Sequence, residues 1–191
     1  MPLRVADATA VLDELGIERA HFIGTSYGGR LCFGIGEHAP ERVLSLIIGG
    51  QQPYAMDRNS PIARAVIEGI EASHTQGIEA VVEALERFSS VRFPDSQRKK
   101  YLENDPVAIE AASNTMLAEG TISEKLNEWQ FPCLIFVGEG DLDFREKAQK
   151  AAREIPNAEF LLVGGADHIG AHLQHDTVIP AILRTLRSVR I

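Results

Sequence analysis

The sequence predicts an α/β fold in which a parallel sheet is flanked by helices and interrupted by one all-helical insertion. Three observations predict it. Short apolar runs, 20–23, 43–48, 133–138 and 159–163, are the length of buried strands. They alternate with segments of helical periodicity, the pattern of a parallel sheet covered on both faces. Between Pro53 and Trp129 nothing reads as a strand, and the segments there carry helix starts only.

In chain order, Val5, Ala8, Val11/Leu12 and Leu15 repeat at helical spacing, and Gly16 supplies a stop. Ala20-His21-Phe22-Ile23 is a short strand that runs into Gly24-Thr25-Ser26-Tyr27-Gly28-Gly29. A helix from about Tyr27 to Ala39 ends at Pro40, and a second strand, 43–48, closes at Gly49-Gly50. Helix starts follow at Ser60-Pro61, Gly77, Asp95-Ser96 and Asp105-Pro106, where a capping residue or a proline at the first position sets the geometry. The strand pattern resumes at Cys133–Gly138. A helix at about 144–154, a strand at 159–163 and a last helix at about 177–189 complete the chain. In that last helix Asp176 is the expected cap and Pro180 is expected in the first turn. The division is therefore a core of 1–52 and 130–191 and a helical cap or lid of 53–129.

At 191 residues, 45% apolar and 24% charged, the chain has the size and mix of one globular domain with an insertion. The net charge of −8 argues against nucleic acid and against an anionic membrane surface as partners. No apolar run approaches the ~20 residues that span a bilayer. No signal peptide is expected from the first residues, and the two distant cysteines, Cys32 and Cys133, read as reduced thiols of a cytoplasmic protein. No metal or cofactor is expected.

Gly24-Thr25-Ser26-Tyr27-Gly28 fits G-x-S-x-G at a strand-to-helix turn. A serine projecting above a sheet there must adopt a strained backbone, and glycines two positions away on each side, Gly24 and Gly28, relieve the crowding. Gly29 lets the helix approach the sheet. The helix N-terminus then faces the site, where its dipole favours negative charge. A serine nucleophile needs a base, and the base an orienting acid. Past the third strand stand Glu139-Gly140-Asp141, and past the fourth Gly164-Gly165-Ala166-Asp167-His168. In a parallel sheet these loops share an edge with Ser26, where open α/β sheets bind ligands. Asp141 is the expected acid, with Asp143 or Glu139 as alternatives. His168 is the expected base, with His172 and His175 as alternatives, while Asp167, His21, His38 and His74 are expected to be structural or on the surface.

These motifs, in this order, resemble the α/β-hydrolase superfamily over nearly the whole chain. The resemblance implies Ser26 as nucleophile, His168 as base and then acid, Asp141 as its partner and the backbone N–H of Tyr27 as an oxyanion donor. It implies that 53–129 is the family's cap. A serine in this position implies a small-molecule ester, thioester, lactone or activated carbon–carbon bond as substrate, through an acyl-enzyme. The family carries further strands before this point, and the loop after its third strand gives a second oxyanion N–H. Only one helix precedes the nucleophile strand here, so the resemblance implies the C-terminal part of the fold. Two expectations follow. The outer edge of 20–23 is covered either by the helix at 5–15 folding over it or, the favoured expectation, by two chains pairing there as a homodimer. Activity is weak, with a non-catalytic binding or partner protein as the alternative function.

Overall fold

The computed structural model describes residues 1–89 and 91–189. Four strands form one sheet in the order β1-β2-β3-β4: β1 (Ala20–Thr25), β2 (Val43–Gly49), β3 (Cys133–Gly138) and β4 (Ala158–Val163). Every pairing is parallel. Parallel neighbours need crossovers, and these are the helices α2 (Tyr27–His38) and α7 (Arg145–Glu154) together with the long 50–132 connection. All four C-terminal ends therefore lie along one edge of the sheet, as the loop placement of Ser26, Asp141 and His168 requires.

The sheet is apolar because helices cover it. The β2 burial runs almost unbroken, and β3 is buried at all of its positions. Ile47, Leu134 and Phe136 pack with Val163, Ala171, Val178 and Ala181 in a cluster that brings α9 (His175–Ser188) onto the sheet. The helix α1 (Pro2–Glu14) packs on α2, α2 on β1 and β2, and α7 on β3 and β4. At the edge, β1 is only partly covered, and Ile23 is 55% exposed. Trp129 fills the space beside Phe33 and Phe131, and Gly36 admits it, since a Cβ there would lie 2.6 Å from the indole.

The chain divides into two compact units, Met1–Tyr54 with Thr121–Ile191, and Ala55–Gly120. The second unit is helical: α3 (Pro61–Gln76), α4 (Ile78–Phe88), α5 (Asp95–Leu102) and α6 (Pro106–Ala118). Ser60 and Asp105 cap α3 and α6 through their side chains, and a proline begins each helix. Gly69 lets α3 and α4 cross closely, where a Cβ would meet the Ala84 methyl at 2.9 Å. Its core includes Ile62, Ile70, Val81, Val82 and Leu117. The expected insertion ran over 53–129, whereas 121–129 packs with the first unit. Leu126 and Trp129 are buried there, and the Ile122 N–H donates to the Pro53 carbonyl at 2.7 Å.

Two details of the C-terminal region differ from expectation. The short helix α8 (Gly170–Leu173) follows the His168 loop, and four residues carry too little periodicity to announce it. The last helix starts at His175, so Asp176 lies in its first turn instead of capping it, and Pro180 lies beyond that turn. The earlier start follows from backbone bonds to the Gln174 carbonyl, donated by Thr177 and Val178. Among the described residues no helix is long and apolar enough to cross a membrane.

Candidate active site

Ser26 sits between β1 and α2 with φ 51° and ψ −115°, the one non-glycine at positive φ among the described residues. Such a backbone costs of order 1–3 kcal/mol and persists only where its surroundings over-determine it. The Ser26 N–H donates to the Gly49 carbonyl at 2.8 Å, and its carbonyl accepts the Arg30 N–H at 3.0 Å. A Cβ at Gly24 would lie 2.3 Å from the Gly28 oxygen and 2.8 Å from the Cys32 sulfur. One at Gly29 would be squeezed between Gln51 and the Gly49 oxygen, at 3.0 and 3.1 Å. At Gly28 a Cβ would meet nothing within 4 Å. The expected pair of crowded glycines, Gly24 and Gly28, is therefore corrected to Gly24 and Gly29. Gly28 contributes the carbonyl that leaves Gly24 no room.

The structure brings Ser26, His168 and Asp141 together. Asp141 Oδ2 lies 2.7 Å from His168 Nδ1, and Ser26 Oγ lies 3.1 Å from His168 Nε2. A carboxylate only accepts, so Nδ1 carries the hydrogen, and the Nε2 lone pair accepts from the Ser26 hydroxyl. The aspartate and histidine are nearly sealed, at 3% and 5% exposed. Asp141 Oδ1 is buried without a partner among the described residues, so the carboxylate's hydrogen bonding is directed at the imidazole. Phe144 covers the His168 ring at 5.0 Å between centroids.

The loops that deliver the acid and the base are interlocked. Gly138 and Gly140 lie against the 166–167 backbone, where a Cβ on Gly138 would come within 2.4 Å of the Asp167 oxygen. The Gly140 N–H donates to the Ala166 carbonyl at 2.8 Å. Glu139 accepts the Gly165 N–H at 3.0 Å, so this alternative acid clips the two loops together. Asp167 accepts the Gly170 N–H at 2.7 Å. His175 opens α9 on the surface, His21 bonds Ser45 and His74 pairs with Glu110. Tyr27 stands at the first position of α2, where helix geometry leaves its N–H without an intrahelical acceptor. Its hydroxyl accepts from Arg4 at 2.7 Å.

Sequence reading missed two residues around the site, Arg30 and Gln51, and held a third, His172, only as an alternative base. Arg30 is fully buried and donates to the carbonyls of Gln52 and Tyr54 at 3.1 and 3.0 Å. Gln51 is 1% exposed and reaches the Ser26 carbonyl. The His172 ring lies 5.5 Å from the His168 ring, tilted by 51°, and meets Phe136 edge to face. Gly50, at φ 59°, packs against both imidazoles, 2.9 Å from His172 Nε2 measured at the position of an added Cβ. Nothing local marks Arg30 or Gln51, because a polar residue acquires this role only when another loop arrives. The spacing of His168 and His172 was visible, but not that their rings meet over Gly50. Cys32 and Cys133 are buried free thiols, and burial pushes Cys32 up to about 12. Among the described residues no group of three or more His, Cys, Asp or Glu is placed to hold a metal ion.

Burial, with the His168 ring second, pushes His172 down to about 4, while Asp167 opposes the shift weakly. His172 is therefore neutral in the folded chain where an unfolded chain would protonate it. Its folded value lies below the unfolded 6.5, so its contribution to stability is intact above pH 6.5 and is lost as the pH falls toward 4. The loss should approach about 3 kcal/mol at the lower end. Urea unfolding of the wild type and His172→Phe from pH 7 to pH 4 checks this. The variant should lose less stability over that window, and parallel curves would refute the assignment.

The glycine geometry gives a second expectation. Gly24→Ala should cost about 1–3 kcal/mol or more, since backbone and the Cys32 sulfur would have to move. Gly28→Ala should be neutral or stabilising by up to about 1 kcal/mol, since alanine is favoured in a helix with open space. Urea midpoints at unchanged slope give both values, and a larger cost at Gly28 would reverse the reading.

Comparison with known proteins shows the family and the fold. The model of the alpha/beta hydrolase family matches residues 2–181. The chain is 28% identical over 178 residues to the 2-hydroxy-6-oxononadienedioate/2-hydroxy-6-oxononatrienedioate hydrolase of Paraburkholderia phymatum, covering 83% of this chain and 59% of that protein. It is 28% identical over 141 residues to 3-oxoadipate enol-lactonase 1 of Acinetobacter baylyi, covering 71% and 52%. Curated relatives are matched over about half to two thirds of their length. Among solved structures, a thermophilic esterase from Thermogutta terrifontis superposes with a TM-score of 0.80 at 22% identity, over 98% of this chain and 72% of that one. The enol-lactonase from Burkholderia xenovorans LB400 gives 0.77 at 20% identity, over 96% and 71%. With its parallel sheet, its serine turn and a family match along almost its whole length, the chain belongs to the alpha/beta hydrolase family.

Proposed function

We propose that the chain carries the catalytic residues of a serine hydrolase acting on a small ester, thioester, lactone or activated carbon–carbon bond. The observation that carries the reading is the serial hydrogen bonding of Asp141, His168 and Ser26, at 2.7 and 3.1 Å. The names of the relatives, an enol-lactonase and a hydrolase, and of an esterase of the same fold, support the substrate class.

In this reading the Ser26 hydroxyl attacks the acyl carbon while His168 Nε2 takes its proton. The Asp141 carboxylate holds the imidazole in the required tautomer and stabilises the imidazolium. Negative charge collects on the former carbonyl oxygen, and the Tyr27 N–H at the α2 N-terminus is one donor to it. His168 then gives the proton to the leaving group, which departs and leaves Ser26 acylated. Water, deprotonated by the same imidazole, attacks the acyl-enzyme and releases the acid and the free serine.

The test is labelling with a fluorophosphonate, with the adduct mapped by mass spectrometry. The adduct should lie on Ser26 and disappear in Ser26→Ala. Where the wild type turns over p-nitrophenyl acetate, Ser26→Ala and His168→Ala should each lower kcat by several orders of magnitude, and the double variant by little more. Undiminished labelling of Ser26→Ala, or losses that multiply, would sink the reading. The homodimer through the 20–23 edge rests on the edge position of β1 and the exposure of Ile23. Sedimentation at several concentrations should show self-association that Ile23→Lys weakens, and a monomer throughout would refute it.

A further inference from the structure

The loop after β2 runs back under the serine turn. Gln51 Nε2 donates to the Ser26 carbonyl at 3.2 Å, and Gln51 Oε1 accepts the Gln52 backbone N–H at 2.9 Å. Together these contacts fix which way the carboxamide points. With nitrogen and oxygen exchanged, donor would face donor and acceptor would face acceptor. The Gln51 Cβ lies against Gly29 near the start of α2. The loop is anchored in turn. Arg30 holds the carbonyls of Gln52 and Tyr54, and Gln52 Oε1 accepts the Tyr54 N–H.

The carbonyl that Gln51 holds belongs to the same peptide group as the Tyr27 N–H. That group is planar, so fixing its oxygen fixes where its N–H points. A hydrogen bond accepted by the oxygen also polarises the unit and strengthens the N–H as a donor. The Arg30 N–H shares the same oxygen at 3.0 Å, as part of the helix, but it moves with α2. Gln51 ties the peptide to the loop after β2 instead.

We infer that Gln51 is a positioning residue that aims and polarises the Ser26–Tyr27 peptide as an oxyanion donor. This rests on the functional reading above, in which the Tyr27 N–H stabilises the tetrahedral intermediate. Preorganised donors of this kind act because they need no rearrangement as charge develops.

The experiment compares wild type, Gln51→Met and Gln52→Met by two readouts. One is the carbonyl 13C shift of Ser26, which moves upfield when a hydrogen bond to that oxygen is lost. The other is the kinetics of fluorophosphonate labelling, separated into kinact and KI. Gln51→Met should move the Ser26 carbon upfield and lower kinact on the order of tenfold with KI little changed. That is well short of the 10²–10³ lost with a whole oxyanion donor. Gln52→Met, which strips the same loop of a buried carboxamide, should leave the Ser26 carbon in place. Gln51→Asn, one methylene shorter, should repeat the shift and the slower labelling if the methionine variant fails to fold. An unmoved carbon in the Gln51 variants, equal movement in the Gln52 variant, or a loss carried by KI alone would overturn the inference while leaving Ser26 as the labelled residue. An adduct elsewhere in the wild type, or none, overturns the functional reading and the inference with it.

Discussion

The site depends on one steric constraint, a serine held at positive φ between a strand and a helix. The strain is sustained because Gly24 has no Cβ, so the Gly28 carbonyl and the Cys32 sulfur can occupy the space a side chain would need. The turn is thereby tighter than an ordinary strand-to-helix connection, and its tip stands clear of the sheet edge. Hydrogen bonds on both sides of Ser26, to Gly49 and from Arg30, fasten it to the neighbouring strand and to its own helix. The direction in which the side chain leaves the turn, its Cα–Cβ bond, follows from that backbone.

The remaining chemistry is arranged around that fixed point by parallel topology. Because β1, β3 and β4 run the same way, the loops that follow them open on one edge. An imidazole, backed by a carboxylate, then meets the serine although 142 positions separate Ser26 from His168. Burial makes the contact strong. A sealed carboxylate has few partners to share, and a buried hydrogen bond is weakened little by solvent. Neighbouring residues hold the two loops in place. Glu139 clips the acid loop to the base loop, and His172 with Gly50 fills the space beside the base ring.

How far all of this was legible in the sequence varies with the range of the interaction. The four strands and the main helices of the first unit were readable because apolar period and glycine or proline stops act within a few residues. Asp141 was distinguishable from Glu139 and Asp143 only as an expectation, since all three occupy one loop. What separates them is burial. Asp141 is sealed against His168, while the Glu139 carboxylate takes a backbone N–H. The steric role assigned to Gly28 was misplaced for a related reason. A motif gives the positions of glycines but not which one faces a neighbouring atom.

By itself, then, the sequence determined a parallel α/β core with a serine turn, an acid loop and a base loop in a fixed order. Those are consequences of periodicity and of where the chain can bend. Only the tertiary structure decided which carboxylate meets the imidazole, that Gly24 and Gly29 are the crowded glycines, and that 121–129 packs with the first unit. It alone revealed the buried Arg30 and Gln51 and set His172 beside the base. The reason is that each of these is set by the approach of chain segments far apart in sequence. Hydrogen bonds and van der Waals contacts act over a few ångströms, and no local pattern records which distant residues come that close.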